Sequence, residues 1–249
     1  MRIFPLILLV LALSASTPAR ADGPARVDIS PIRLDLGGAR RSGVIALRNQ
    51  GQEPVRYEVS ASSWLLLADG EQKLEVTDAL TVFPTVFEIP PGASKSIRVG
   101  LRRLPSSGEA SYRLLVKQLP ANRRQAGDGA AVQMLTNFSL PVFAATAEAR
   151  AAPRLGEPEV RGARLSFALR NDGDRSFRAT RVMVRGHGVG AESLFETELP
   201  AWYVLSRGIR RYELAIPPGA CAKLRSIRIE AEIAGAAPLR LDRPLTCGT

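Results

Sequence analysis

The sequence predicts an all-β protein built as two antiparallel sandwiches. Three observations lead there. Apolar and polar residues alternate along most of the chain, the period of a half-buried strand, while helical spacing is scarce. The alternating runs are short and recur every roughly 8–12 residues between Gly-, Pro- and Asn-rich turns. The pattern then restarts: Ala46-Leu47-Arg48-Asn49-Gln50-Gly51 is echoed by Ala168-Leu169-Arg170-Asn171-Asp172-Gly173, and Ile89-Pro90-Pro91-Gly92-Ala93 by Ile216-Pro217-Pro218-Gly219-Ala220. The two offsets differ, so these are two units of similar design rather than a strict repeat.

Taken in order, Val27 to Leu36 is a strand pattern broken by Pro31, which suits an edge strand. Gly37-Gly38 is a turn. Ser42 to Asn49 alternates through Val44 and Leu47 and runs into a turn cluster ending at Pro54. Val55 to Trp64 sets Val55, Tyr57, Val59 and Ala61 on one face. Leu80 to Phe87 is followed by Pro90-Pro91-Gly92, where proline presets φ and glycine permits positive φ. Lys95 to Leu101 and Tyr112 to Leu119 are further strands, and Ala121 to Gly129 is a polar loop. Ala130 to Phe143 is then more than twice the usual strand length. Val132, Met134, Phe138 and Leu140 share one face, with Thr136 between them; Gln133, Leu135, Asn137 and Ser139 share the other. The run is either an ordinary half-buried strand or one whose N-terminal part overhangs the core and offers Val132 and Met134 to another molecule.

Ala144 to Pro158 is rich in Ala and Pro and lacks a period, which makes residues 146–157 a linker between units at 22–145 and 158–249. In the second unit, Phe177 to Val184 is a strand, and Leu224 to Ile233 and Leu239 to Thr246 flank a hairpin turn. A symmetric hairpin centred near Ala234 sets Cys221 opposite Cys247, within disulfide reach. A metal site would need more ligands than these two Cys and the single His187.

Composition narrows the function classes. The 249 residues carry a net charge of +10, but the arginines are scattered. With no basic stripe and interleaved aromatics, nucleic acid is not an expected partner. Arg2, the apolar stretch Phe4 to Leu13 and the small-x-small triplet Ala19-Arg20-Ala21 form a secretory signal peptide over residues 1–21. That stretch is too short to span a bilayer, and no later one is longer, so an exported protein without membrane insertion is expected. Gly186-His187-Gly188-Val189-Gly190 lacks the spacing, helix and β-α-β setting of a phosphate loop and reads as a sheet loop, with His187 an exposed turn residue. Asn137-Phe138-Ser139 is a formal sequon inside a strand. No nucleophile elbow or metal-ligand helix occurs, so neither an enzyme nor a cofactor is expected. Arg33, among Ile32, Leu34 and Leu36, is either a snorkelling surface arginine or a bidentate anion anchor in a cleft.

Several segments in order then share a likeness: Ile29-Ser30-Pro31-Ile32-Arg33, Ala46-Leu47-Arg48-Asn49, Phe83-Pro84-Thr85-Val86-Phe87-Glu88-Ile89-Pro90-Pro91-Gly92, Tyr112-Arg113-Leu114-Leu115-Val116-Lys117-Gln118-Leu119-Pro120 and Ser139-Leu140-Pro141-Val142-Phe143. Over Val27 to Ala144 the chain resembles the PapD-like periplasmic chaperones of chaperone–usher pilus assembly, in the form of a divergent branch. The resemblance implies two immunoglobulin-like domains with a cleft between them. It implies a periplasmic chaperone that binds a pilus or fimbrial subunit 1:1 by donor-strand complementation and delivers it to an outer-membrane usher. The donor strand would be Ala130 to Phe138, with Val132, Met134, Thr136 and Phe138 as plugs. Arg33 would hold the subunit's C-terminal carboxylate. Many family members add a lysine at the place occupied here by Ser139-Leu140-Pro141; this chain has none there, and Lys117 on the neighbouring strand is the weaker candidate. The competing reading is an exported structural or adhesive sandwich protein of a surface fibre.

Overall fold

The computed structural model describes residues 26–67, 71–120 and 134–247. The expected signal peptide, the loop Ala121 to Gly129 and the start of the long run, Ala130 to Gln133 with Val132, lie outside the described residues. The first unit contains β1 (Val27–Ser30), β2 (Leu34–Leu36), β3 (Ser42–Asn49), β4 (Val55–Leu66), β5 (Gln72–Val76), β6 (Leu80–Phe83), β7 (Val86–Ile89), β8 (Ser94–Leu101), β9 (Glu109–Leu119) and β10 (Asn137–Ala145). One sheet runs β1-β3-β8-β6; the other runs β2-β10-β9-β4-β5, with β7 also on β4. Their inner faces enclose a core of Ile45, Leu47, Tyr57, Ile97, Val99, Leu114, Val116 and Val142.

Two prolines wire this sandwich. The pattern from Val27 to Leu36 is not one edge strand: β1 pairs with β3 in one sheet, and past Pro31 β2 pairs in parallel with β10 in the other. Likewise Leu80 to Phe87 splits at Pro84, leaving β6 on β8 and β7 on β4. Proline has no N–H to give a ladder, so the chain changes partner where the donor is missing.

The second unit contains β11 (Pro153–Leu155), β12 (Glu159–Arg161), β13 (Arg164–Asn171), β14 (Phe177–His187), β15 (Ser193–Leu199), β16 (Tyr203–Val204), β17 (Ile209–Ala215), the short helix α1 (Ala220–Lys223), β18 (Ser226–Ile233) and β19 (Leu239–Pro244). β13 pairs with β11, β12 and β17; the facing sheet runs β15-β14-β18-β19, with β16 on β14. A separate core of Leu165, Leu169, Val182, Val184, Leu224, Ile227 and Ile229 lies between them. The stretch expected as linker therefore already holds β11, which pairs Pro153 with Asn171.

The repeated Leu-Arg-Asn motif has one physical role in both units. Asn49 and Asn171 are buried at the ends of β3 and β13. Asn49 Nδ2 donates to the carbonyls of Glu53 and Ile89, and its Oδ1 accepts from Gly51 N–H. Asn171 Nδ2 donates to the carbonyls of Arg175, Val204 and Leu205, and its Oδ1 accepts from Ala152 and Gly173 N–H. Each amide thus satisfies a corner whose backbone groups have left the ladder. The Pro-Pro-Gly echoes are likewise turns, with Gly92 at φ 71° and Gly219 at φ 80°.

Cys221 and Cys247 are bridged, with Cα atoms 5.5 Å apart. The register that suggested the pair is different, however. β18 and β19 pair Ser226 with Pro244 and Ala231 with Leu239, two residues out from a hairpin centred at Ala234, and Cys221 sits on α1 rather than on a strand. The helix turns Cys221 back toward the chain end and makes up the offset. His187 also differs from expectation. It ends β14, half-buried, opposite Ser226, and both its ring nitrogens are enclosed. Gly186 is there for packing, since a Cβ would collide with the Phe195 ring.

Candidate cleft between the two sandwiches

The outer face of the β2-β10-β9-β4 sheet is where the units meet. Along β4, Val55, Tyr57 and Val59 point into the first core, yet Ser62 and Trp64, on the opposite parity, are buried too. A strand buried on both faces needs a second cover. The second unit supplies it: Trp64 and Phe143 of the first pack with Tyr203 and Leu205 of the second. Ring centroids lie 6.0 Å apart for Trp64–Phe143, 6.0 Å for Trp64–Tyr203 and 5.3 Å for Phe143–Tyr203. Trp202 stands edge-on to Tyr203 at 5.6 Å. Beside this cluster Glu109 Oε1 accepts from Ser176 N–H of the second unit at 3.0 Å. Burial pushes the Glu109 carboxyl above its ordinary value, against the pull of the Ser176 bonds and of Arg33 and Arg175.

Arg33 stands at this cluster, in the crossover just before β2. Its guanidinium lies 4.5 Å from the Phe143 ring centroid and 5.4 Å from that of Tyr203. Asp35 grips one edge of it: Nε donates to Oδ1 at 3.0 Å and to Oδ2 at 2.8 Å, and Nη2 donates to Oδ1 at 2.5 Å. Burial draws the Arg33 pKa down, but Asp35 and then Tyr203 more than offset it, and the net direction is up.

A second arginine, missed by sequence reasoning, is more deeply placed. Arg113 on β9 is only 5% exposed. Its guanidinium lies 3.7 Å from the Trp64 ring centroid and 5.9 Å from that of Trp202, and Nη1 donates to the Ser139 carbonyl at 3.3 Å. Burial lowers its pKa, with Tyr203 the opposing influence. In sequence it looks like the outward residue between core-facing Tyr112 and Leu114, and only the second unit's approach makes it interior.

Register aligns the two cations. β10 pairs Pro141 with Arg113, and β2 pairs Leu34 with Val142, so Arg33 falls level with Pro141 on its other side. Lys117, by contrast, is exposed and pairs with Asn137, four residues along β9 from Arg113 or roughly 13 Å at the strand rise.

The remaining expected residues lie at the start of β10. Met134 is 69% exposed and Leu135 41%. Thr136 is half-buried, and its N–H donates to Gln118 Oε1 at 2.8 Å. Phe138 packs against the first core, its ring centroid 6.3 Å from that of Tyr57. The ladder begins at Asn137, so Met134 to Thr136 lie outside it. One edge of β10 is covered by β9 along its whole length, the other by β2 at Val142 to Ala144 alone. From Asn137 to Pro141 that second edge has no strand beside it among the described residues. No group of three or more metal-ligating side chains occurs among them either.

Residues 26–147 match the family model of the pili and flagellar-assembly chaperone, PapD N-terminal domain. Among solved structures the chain is similar to one from the CsuC–CsuE chaperone–tip adhesion subunit pre-assembly complex of the archaic chaperone–usher Csu pili of Acinetobacter baumannii. The TM-score is 0.61 at 18% identity, covering 88% of this chain and 98% of that one. It is also similar to a structure of the Salmonella enterica SafA pilin with the SafB chaperone, with TM-score 0.57, 15% identity, and 90% and 99% covered. A comparison with curated protein sequences finds no match.

Proposed function

With residues 26–147 the chain belongs to the PapD-like chaperones, and we propose that it is a periplasmic chaperone that caps fimbrial subunits by strand addition and passes them to an outer-membrane usher. The observation that carries this reading is the half-covered edge of β10. From Asn137 to Pro141 this edge has no strand beside it among the described residues, and an extended chain added there gains main-chain hydrogen bonds. Just before it, exposed Met134 offers an apolar side chain to whatever the added strand belongs to.

The direction of the added strand follows from the same geometry. β2 is parallel to β10 and starts just after Arg33, closing one end of that edge. A strand laid parallel to β10 would end at Arg33 with its C-terminus; an antiparallel one would bring its α-ammonium there. Arg33 has N–H donors and no acceptor, so the edge not taken by Asp35 can bind a carboxylate and offers nothing to an ammonium. The partner is thus a subunit whose last strand-forming segment ends in a free carboxylate, held bidentately by Arg33.

The test is co-expression with a fimbrial subunit, followed by size-exclusion chromatography with light scattering. The expected product is a 1:1 complex from a monomeric chaperone. Polymers of the chain itself would instead identify a displayed fibre component.

A further inference from the structure

We propose that the outer face of the β1-β3-β8-β6 sheet is a peripheral docking surface for a bilayer that carries anionic lipid. β10 belongs to the other sheet, and the proposal stands whether or not strand addition does. Burial alternates along β3 and β8, with Ile45, Leu47, Ile97 and Val99 inward. Many of the outward residues are small, as at Ser42, Ala46, Ser96 and Gly100, so the face is a smooth floor. Two apolar side chains stand on it: Val44 is 44% exposed and Phe83 73%. Arg98 pairs across with both of them. Arg102 joins from the end of β8, where its Nε donates to Thr81 Oγ1 of β6 at 3.2 Å. Leu101 N–H donates to the Arg41 carbonyl at 2.8 Å, which brings the β2–β3 turn with Arg40 and Arg41 beside Arg102 and Arg103. Arginines that are scattered in sequence thus gather on one face and its end. Lys95 adds a further cation to the open groove that Val44, Phe83 and Pro84 form with Arg98.

Charge supplies the second argument. Arg40, Arg41, Arg98, Arg102 and Arg103 are exposed, and none forms an ion pair with a described acidic side chain. Asp28 is the one acid in the four strands; it lies on β1 at the sheet's edge and accepts from Gln50. The second unit treats its outer face differently. Across β14, β18 and β19, Arg181, Arg185, Arg228 and Arg240 each meet a carboxylate. Like charges left unpaired on one face repel one another, and an anionic surface relieves that repulsion. The exposed ring of Phe83 among them favours lipid over an acidic polypeptide, which would meet the charges alone. At a lipid–water interface an aromatic ring settles at headgroup depth, and guanidinium groups bind phosphate through their planar fork.

The test is flotation of the mature chain with vesicles of phosphatidylcholine alone or mixed with phosphatidylglycerol. The mixed vesicles bind at least about 10-fold more tightly, and high salt releases the protein. Arg98→Glu with Arg102→Glu weakens binding by about 10-fold or more. Arg161→Glu with Arg240→Glu, the same change in net charge on exposed residues of the second unit, leaves it nearly unchanged. Phe83→Trp shifts its emission to the blue on the mixed vesicles, as a ring entering the interface does. Melting curves verify that each variant is folded, and Arg98→Gln with Arg102→Gln replaces the charge reversal should that not fold. Absence of binding to the mixed vesicles overturns the proposal. Equal losses from the two pairs of reversals reduce it to net charge and overturn this face as the site. An unshifted Phe83→Trp emission, or binding to polyglutamate as tight as to the mixed vesicles, overturns the bilayer as the occupant. No subunit enters the experiment, so each of these results leaves the strand-addition reading untouched.

Discussion

Replacing Met134 by aspartate separates folding from capture. Met134 is 69% exposed and lies outside the β10 ladder, so the free protein loses almost nothing. A surface change of this kind costs within about 0.5 kcal/mol. In the complex the same side chain is to be buried in the subunit's groove. Burying a methionine contributes about 1.5–3 kcal/mol, and aspartate forfeits that contribution while adding the cost of a desolvated carboxylate. A combined loss of at least about 3 kcal/mol weakens binding by more than 100-fold. Circular-dichroism melting and isothermal titration with a purified subunit measure the two quantities side by side. Leu135→Asp serves as a control, because Leu135 is on the opposite parity of the run and should cost far less binding. The reasoning fails if Met134→Asp unfolds the protein, or if it melts normally and still binds the subunit at full strength.

Arg33→Ala should abolish subunit recovery on co-expression with a change in melting temperature of no more than a few degrees, and Arg33→Lys should be nearly as damaging because an ammonium lacks the bidentate fork; full recovery with Arg33→Ala would show the carboxylate held elsewhere. Reducing Cys221–Cys247, which closes a separation of 26 residues, should destabilise the second sandwich by about 2–4 kcal/mol, read as a lowered second transition on calorimetry with and without reductant. Glu109, whose carboxyl is raised by burial in the folded state, binds its proton more tightly there than when unfolded. Its favourable contribution is therefore present at low pH and is lost as pH rises from the unfolded value through the folded one. Glu109→Gln should melt like the parent at acid pH and above it at neutral pH, and a parallel pair of melting profiles would refute this.

Much of the first sandwich was legible because several of its strands have one buried face. Ser42 to Asn49 is a strand with alternating burial as expected, but its inward residues are Ile45 and Leu47, while Val44, which the sequence reading placed in the alternation, is exposed. Alternation reports which way a side chain points, not which strand lies alongside. The changes of sheet at Pro31 and Pro84 therefore left no trace in the pattern. β5, from Gln72 to Val76, escaped for the opposite reason: it is exposed on both faces. In the cleft, Arg33 could be singled out from its apolar neighbours, but Arg113 and Trp64 could not. Their burial comes from Trp202, Tyr203 and Leu205, contributed by a different sandwich far along the chain. Cys221 and Cys247 were paired correctly on a register that the short helix at Ala220 to Lys223 displaces.

On the proposed strand addition, the closed end at Val142 would act as a ruler. A segment stopped by its own terminus at Arg33 has its register counted backward from the last residue, whatever that residue's identity. Parity then assigns every side chain to a face, and a partner one residue longer or shorter turns its apolar set inside out. Capture read this way is indifferent to most of the partner's sequence and strict about the distance from its apolar residues to its end. One chaperone can then serve subunits that share little beyond that count.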